Sequence, residues 1–331
     1  MGWKPMPLCT RLASHPMGKR LLLGPIMILL LIGALALDQW LDARAMPEAV
    51  RDLLARTLNF REQTFPPGVI MLPVLMGLVS IAAREMSSLL EAERIEGSKR
   101  MLTAAAIAGL LVSCLVPAAL PATTVVGIIG TVSVLVLAVA MTFYSRHKTV
   151  EGVIAATGGV LLSYVYLGIM AGFLLALRRE HSVFVLGWVI LTIKACDIGA
   201  YFTGKAVGKT KLIPWLSPGK TWEGLAGGVA LSAAIGAGGM LWIGSLEKLT
   251  VPAWYHGALL GALLGLAGQA GDLLESILKR DAGKKDSGRG IPGFGGILDV
   301  LDSILLASPV AFWWLHVMIS KGYFAPVGAA G

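Results

Sequence analysis

Six ionisable side chains stand in stretches that are otherwise apolar: Lys194, Asp197, Asp272, Glu275, Asp299 and Asp302. Glu275, Ser276 and Lys279 follow Asp272 by three, four and seven residues, so on a helix all four share a face. Asp299 and Asp302, three apart, share a face of the next helix. The segment between them, Arg280 to Ile297, is polar, with glycines at 283, 288, 290, 293, 295 and 296 and the cations Lys284, Lys285 and Arg289. Two acidic faces joined by a basic, glycine-rich connection predict a divalent-cation site beside an anion site, because hard cations take carboxylate oxygens together with phosphate oxygens. The plainer alternative is that these acids pair with Lys194, Lys279 or Arg280 and only tie helices together. An ionisable group near a bilayer centre costs about 2.5–3.5 kcal/mol. Five carboxylates gathered at one depth therefore favour a shared task over local pairing.

A second polar stretch, 204–224, carries Gly208-Lys209-Thr210 and Gly219-Lys220-Thr221. Neither is a P-loop. That motif needs a glycine five residues before its Gly-Lys pair, and those positions hold Thr203 and Pro214. What remains is a basic loop suited to phosphate contact.

The elements that must position these residues are membrane helices. The chain has 331 residues, 56% hydrophobic and 15% charged, with a mean hydropathy of +0.74. A soluble chain carries about 25% charged residues, so a soluble globule, a disordered chain and a disulfide scaffold are excluded. The expected fold is all-α and polytopic, with about nine spans near 21–37, 66–83, 101–119, 123–143, 153–177, 183–203, 225–243, 255–275 and 297–319. The first is read as a retained helix, since no small-residue cleavage site follows it. Counting Lys and Arg between spans gives 19 on one side and 8 on the other, with Lys194 inside a span. The majority side, which includes the N-terminus, is expected to be cytoplasmic, in a bacterial-type inner or plasma membrane. All five carboxylates then lie near the cytoplasmic ends of their spans.

Residues 1–150 form an N-terminal membrane region whose outside segment 38–65 has the helical spacing Val50, Leu53, Leu54, Leu58 of an amphipathic surface helix. Residues 151–331 form the region bearing the chemistry, with cytoplasmic loops 204–224 and 276–296. Cys9, Cys114 and Cys196 have neither disulfide nor metal spacing. The five histidines, at 15, 147, 181, 256 and 316, have no partner spacing. Zinc and Ser/His/Asp chemistry find no support, and nothing points to nucleic acid. The net charge of +8 suits anionic lipid or phosphorylated substrates.

The run Ser276-x-x-Lys279-Arg280, then Lys285-Asp286, Pro292-Gly293-x-Gly295-Gly296 and Asp299-x-x-Asp302 resembles the signature of the phosphatidate cytidylyltransferases (CDP-diacylglycerol synthases). Ser217-Pro218-x-Lys220-Thr221-Trp222-Glu223-Gly224 and Asp197-x-x-Ala200-Tyr201-Phe202-x-Gly204 are similar to further pieces of it, over about 106 residues in all. Three positions depart: Phe294 replaces the family's usual histidine, Val300 its arginine and Gly219 its lysine. The resemblance implies that CTP and phosphatidate give CDP-diacylglycerol and pyrophosphate with Mg2+, a second cation being open. It implies metal ligation by Asp197, Asp272, Glu275, Asp299 and Asp302, and catalytic roles for Lys279, Arg280, Asp299 and Asp302. Substrate contacts are expected from Ser217, Lys220, Thr221, Ser276, Lys284, Lys285, Gly295 and Gly296. Membrane lipids are expected partners and a homodimer is left open. The competing readings are a CTP-dependent lipid or polyprenol kinase and an inactive homologue. A transporter fits poorly, since the acids keep to one membrane half and no internal repeat is seen.

Overall fold

Glycine and serine recur every three or four residues on two of the long apolar helices, and this spacing decides how the C-terminal helices meet. In the computed structural model, which describes residues 16–52, 63–115, 121–147, 150–288 and 295–324, the helices are α1 (Pro16–Asp42), α2 (Met71–Ala92), α3 (Lys99–Leu115), α4 (Ala122–Tyr144), α5 (Val153–Leu162), α6 (Met170–Glu180), α7 (Val183–Val207), α8 (Trp222–Glu247), α9 (Trp254–Asp281) and α10 (Leu298–Ser320). A π-helical stretch, Ser163–Ile169, joins α5 to α6 without a break. The only strands among the described residues are β1 (Lys211–Ile213) and β2 (Ser217–Thr221), an antiparallel hairpin between α7 and α8 with Lys211 opposite Thr221.

Among the described residues eight helices are long and apolar enough to cross a membrane, the run from α5 through α6 counting as one. The protein is an all-α polytopic membrane protein. The expected span 101–119 corresponds to α3, described for 17 residues, and its onward course lies outside the described residues. Most of the expected amphipathic segment, including Leu53, Leu54 and Leu58, also lies outside them, although a helix begins at Glu48.

Gly228, Ser232 and Gly236 of α8 lie against α7 and α9 so closely that a Cβ on Gly228 would sit 3.0 Å from Cys196 Sγ. One on Gly236 would sit 2.9 Å from the Gly261 Cα. Ser232 Oγ, fully buried, reaches Thr192 O of α7 at 2.7 Å and Gly261 O of α9 at 2.8 Å. Small residues and interhelical hydrogen bonds bind helices that cannot rely on hydrophobic burial in lipid. The α7–α8–α9 unit so formed carries Lys194 and Asp197 on one helix and Gln269, Asp272 and Glu275 on another.

The N-terminal helices close on it through α6 and α2, both packed on α10. Leu102, Leu110, Leu167, Leu186, Ile193, Leu264 and Leu305 are fully buried along this seam. At the opposite end to the acids, Arg178 of α6 pairs with Asp38 at 2.6 Å and with Asp42 of α1. Asp38, 1% exposed, also accepts the backbone N–H groups of Gly68, Ile70 and Met71. Read from sequence, these charges belong to an outside loop; in the fold Arg178 and Asp38 are buried and Asp42 half-buried, because the charges satisfy one another and Asp38 caps the start of α2.

Candidate active site

Three carboxylates meet where α9 and α10 come together. Asp272 and Glu275, one turn apart on α9, and Asp302 of α10 each place one oxygen within 4.8 Å of the others. Glu275 is fully buried and Asp302 is 5% exposed. At 4.8 Å and an effective dielectric near 20, two like charges repel by about 3–4 kcal/mol, so the cluster needs a positive charge at its centre.

The lysines around it only partly supply one. Lys279, a turn beyond Glu275, contacts it and also bonds Asp299 at 2.7 Å. Lys220, from the hairpin, reaches Asp272 at 2.6 Å and Gln269 Oε1 at 2.8 Å. Lys194 is directed to Ser303 Oγ and Val300 O, at 2.6 and 3.0 Å, with Asp197 at 3.7 Å. Beyond the Lys279 ammonium, the Glu275 carboxylate meets no hydrogen-bond donor among the described residues. An orphaned carboxylate oxygen inside a cluster of three acids fits a bound divalent cation, whose positive charge offsets both the repulsion and the lost hydrogen bonds.

The other two expected ligands stand apart from this cluster. Asp197 accepts Gln269 Nε2 at 2.7 Å, and through Gln269 it positions Lys220. Asp299, in the first turn of α10, anchors the connection from α9: its Oδ2 accepts Ser287 N at 3.1 Å, Ser287 Oγ at 2.9 Å and Gly296 N at 2.7 Å.

Beside Asp299 lies Glu85 of α2, which the sequence reading did not single out. Its carboxylate accepts Ile297 N at 3.0 Å, Leu298 N at 2.9 Å and Ser287 Oγ at 3.3 Å, satisfying free donors at the start of α10. No spacing relation links Glu85 to residues two hundred positions away, so nothing in the sequence marked it. The glycines here serve these carboxylates. Gly295 has φ +95°, and a Cβ there would run into the Asp299 carboxylate. A Cβ on Gly288 would lie 2.6 Å from Glu85 Oε1, and one on Gly296 would strike the same carboxylate.

The remaining expected residues divide. Thr221 caps α8, accepting Gly224 N at 3.1 Å, and is buried. Glu223 closes the same turn by accepting Lys209 N at 3.2 Å and Thr210 N at 3.1 Å. Arg280 binds Leu216 O at 3.3 Å and Lys284 O at 3.0 Å, linking hairpin to connection. Lys284 reaches back to Ser88 O at 2.7 Å. Ser276 is buried next to Glu275, whereas Ser217 and Lys220 are half-buried and Lys285 is exposed. Val300, where the family carries arginine, offers Lys194 its carbonyl. Phe294 lies outside the described residues.

Tyr166 is a second residue the sequence did not single out. It sits in the π-helical stretch, 6% exposed, with a buried hydroxyl that has no hydrogen-bond partner among the described residues. π-Helical turns are frequent at functional sites.

Residues 63–318 match the family described as "Cytidylyltransferase family". The chain is 37% identical over 160 residues to a phosphatidate cytidylyltransferase of Bacillus subtilis, covering 48% of this chain and 58% of that protein. It is 36% identical over 188 residues to the enzyme of that name from Brucella suis, covering 56% and 65%. With the Synechocystis enzyme of the same name it is 45% identical over 128 residues, covering 38% and 41%. The matched segments thus span less than two thirds of each of these relatives. The family match extends from ahead of α2 almost to the end of α10, and so takes in Glu85, Tyr166, the hairpin and all five carboxylates. On that match the chain belongs to the cytidylyltransferase family.

Proposed function

We propose that the protein transfers the cytidylyl group of CTP to phosphatidate, giving CDP-diacylglycerol and pyrophosphate. The observation that carries this reading is the Asp272–Glu275–Asp302 cluster, half-buried at Asp272 and buried at the other two, whose Glu275 meets no donor beyond Lys279 among the described residues, in a chain of the cytidylyltransferase family.

A phosphate oxygen of phosphatidate attacks the α-phosphorus of CTP in line; the bond from the α-phosphorus to the bridging oxygen breaks, and pyrophosphate carries that electron pair away. No strong base is required, since a phosphate monoester has a second pKa of about 6 and is largely dianionic at pH 7. The work of the protein is to bring two anions together and stabilise the charge that moves to the leaving group. Asp272, Glu275 and Asp302 would hold Mg2+, which when bound would neutralise phosphate charge and polarise the reacting phosphorus. Lys220, held by Gln269 and Asp272, faces the phosphates from the hairpin together with Ser217. Arg280, Lys284 and Lys285 add cations from the connection. Lys279 and Asp299 keep Glu275 and the connection in register, so their contribution is to orient the site. Residues 151–331 supply the chemistry, and residues 1–150 contribute Glu85 and the wall behind the connection. The site faces the cytoplasm, where CTP is.

The test is incubation of purified protein with α-labelled CTP, phosphatidate and Mg2+, followed by lipid extraction. Label is expected in the lipid. Label absent from lipid, with phosphoryl transfer seen instead from γ-labelled CTP, would make it a lipid kinase. Asp302→Asn should lower turnover by at least about two orders of magnitude, since even residues that only support a ligand are worth 10–100-fold. It should also raise the Mg2+ concentration needed, while the protein stays folded in detergent; near-normal turnover refutes the metal role.

A further inference from the structure

Around Glu85, the protein has a cavity of about 1210 Å³ between α2, α3 and the connection 284–288. Five cations line it: Arg84 on α2, Lys99 and Arg100 at the start of α3, and Lys284 and Lys285. Only two acids do, Glu85 and Asp286, and Glu85 is already taken up by three donors of the connection and of α10. Among the described residues Arg84, Lys99, Arg100 and Lys285 form no ion pair, and the first three are exposed. Cations crowded around one cavity repel one another, and an anion relieves that repulsion.

The rest of the lining is of another character. Ile81, one turn before Glu85 on α2, and Ala104 and Ile107, the next turns of α3, continue the cavity along the two helices away from their charged ends. Ile81 is 42% exposed on a helix apolar enough to span a membrane. A basic mouth above apolar walls matches an amphiphile with an anionic head. A nucleoside triphosphate would leave those walls unused. The cavity is also wired to the acid cluster: Glu85 accepts Ser287 Oγ, Ser287 donates to Asp299, Asp299 binds Lys279, and Lys279 contacts Glu275.

We infer that this cavity binds the phosphate of an anionic glycerophospholipid through Arg84, Lys99 and Arg100, with the lipid's glycerol and upper acyl carbons against Ile81, Ala104 and Ile107. Its identification with phosphatidate, held ready beside the site of transfer, rests on the function proposed above; the lipid-binding cavity itself does not. The N-terminal half would then supply lipid recognition, and the C-terminal half the metal and nucleotide.

The experiment measures lipid retention by the full chain in detergent, by native mass spectrometry, with dioleoyl phosphatidate against dioleoyl phosphatidylcholine. Wild type should retain phosphatidate preferentially. Arg84→Gln/Lys99→Gln/Arg100→Gln should lose about tenfold of that preference, since each removes a charge-assisted contact. These side chains are exposed and unpaired, so the helical circular dichroism should not change. A second variant, Ala104→Trp, keeps every cation and fills the apolar wall, and should also reduce retention. In turnover assays the triple variant should raise KM for phosphatidate and leave KM for CTP unchanged. Retention unaltered in both variants overturns the inference, as does a rise in KM for CTP alone, which would make the cavity a triphosphate site. Charge-dependent retention in a protein that makes no labelled lipid would uphold the cavity while removing the proposed activity.

Discussion

A buried polar group short of partners is costly, roughly 1–3 kcal/mol, and among the described residues two stand out: the Tyr166 hydroxyl, which has none, and the Glu275 carboxylate, which has only the Lys279 ammonium. Neither is explained by stability, which is why both point to function. For Tyr166 the two explanations separate cleanly. If the hydroxyl served only packing, Tyr166→Phe would remove an unsatisfied group and leave turnover intact. We expect the thermal midpoint in detergent to hold or rise while kcat falls about tenfold, the worth of one good hydrogen bond near a reacting phosphate; an unchanged kcat would return Tyr166 to the core. At this scale the sequence was informative wherever spacing operates. Asp272 and Glu275, three apart, were legible as one helix face, and with Asp302 they form the observed cluster. Asp299 was equally legible as an acid and not as an anchor, because its donors, Ser287 and Gly296, belong to a connection whose path spacing does not fix.

At the scale of elements, the connection from α9 to α10 is held by carboxylates seated on glycines. Gly295 and Gly296 are expected from sequence among the substrate contacts. In the fold, Gly295 and Gly296 let backbone approach Asp299 and Glu85. Gly295→Ala combines a left-handed φ of +95° with a collision against Asp299, and strain of this kind costs about 1–3 kcal/mol. The expected outcome is a lower thermal midpoint together with at least a tenfold loss of turnover; wild-type behaviour in both would show that the connection does not depend on that conformation. The hairpin β1–β2 is a second case. The stretch 204–224 read as a basic loop, but α7 runs on to Val207 and the remainder folds back so that Lys220 is delivered to Asp272. Strands of three and five residues carry too little periodicity to be read in advance.

For the whole molecule, two charge distributions matter. The buried Arg178–Asp38 pair ties α6 to α1 at the end remote from the acids. Arg178→Met leaves Asp38 as an unpaired buried charge, at a cost of about 3–5 kcal/mol. It should lower the thermal midpoint well beyond Lys321→Met, a change at an exposed residue; equal midpoints would show the pair contributes nothing. The second distribution is the 19-to-8 division of Lys and Arg. On the proposed orientation, Lys209→Cys should react with an impermeant maleimide only in inside-out vesicles and Lys248→Cys only in right-side-out cells, and the reverse pattern would invert the topology.

Hydropathy, charge asymmetry and the three- and four-residue spacing of acids are local properties of a chain. They were enough to determine a helical membrane protein with carboxylates near one end of its C-terminal helices, because helix periodicity and the price of a charge in lipid act on each segment separately. Which acids share a cation, which anchor a loop, how Glu85 reaches the connection from the N-terminal region, and where a basic cavity opens were decided only when the helices packed. Those contacts join residues as many as two hundred positions apart, and small-residue stripes allow such close approach without specifying the partner.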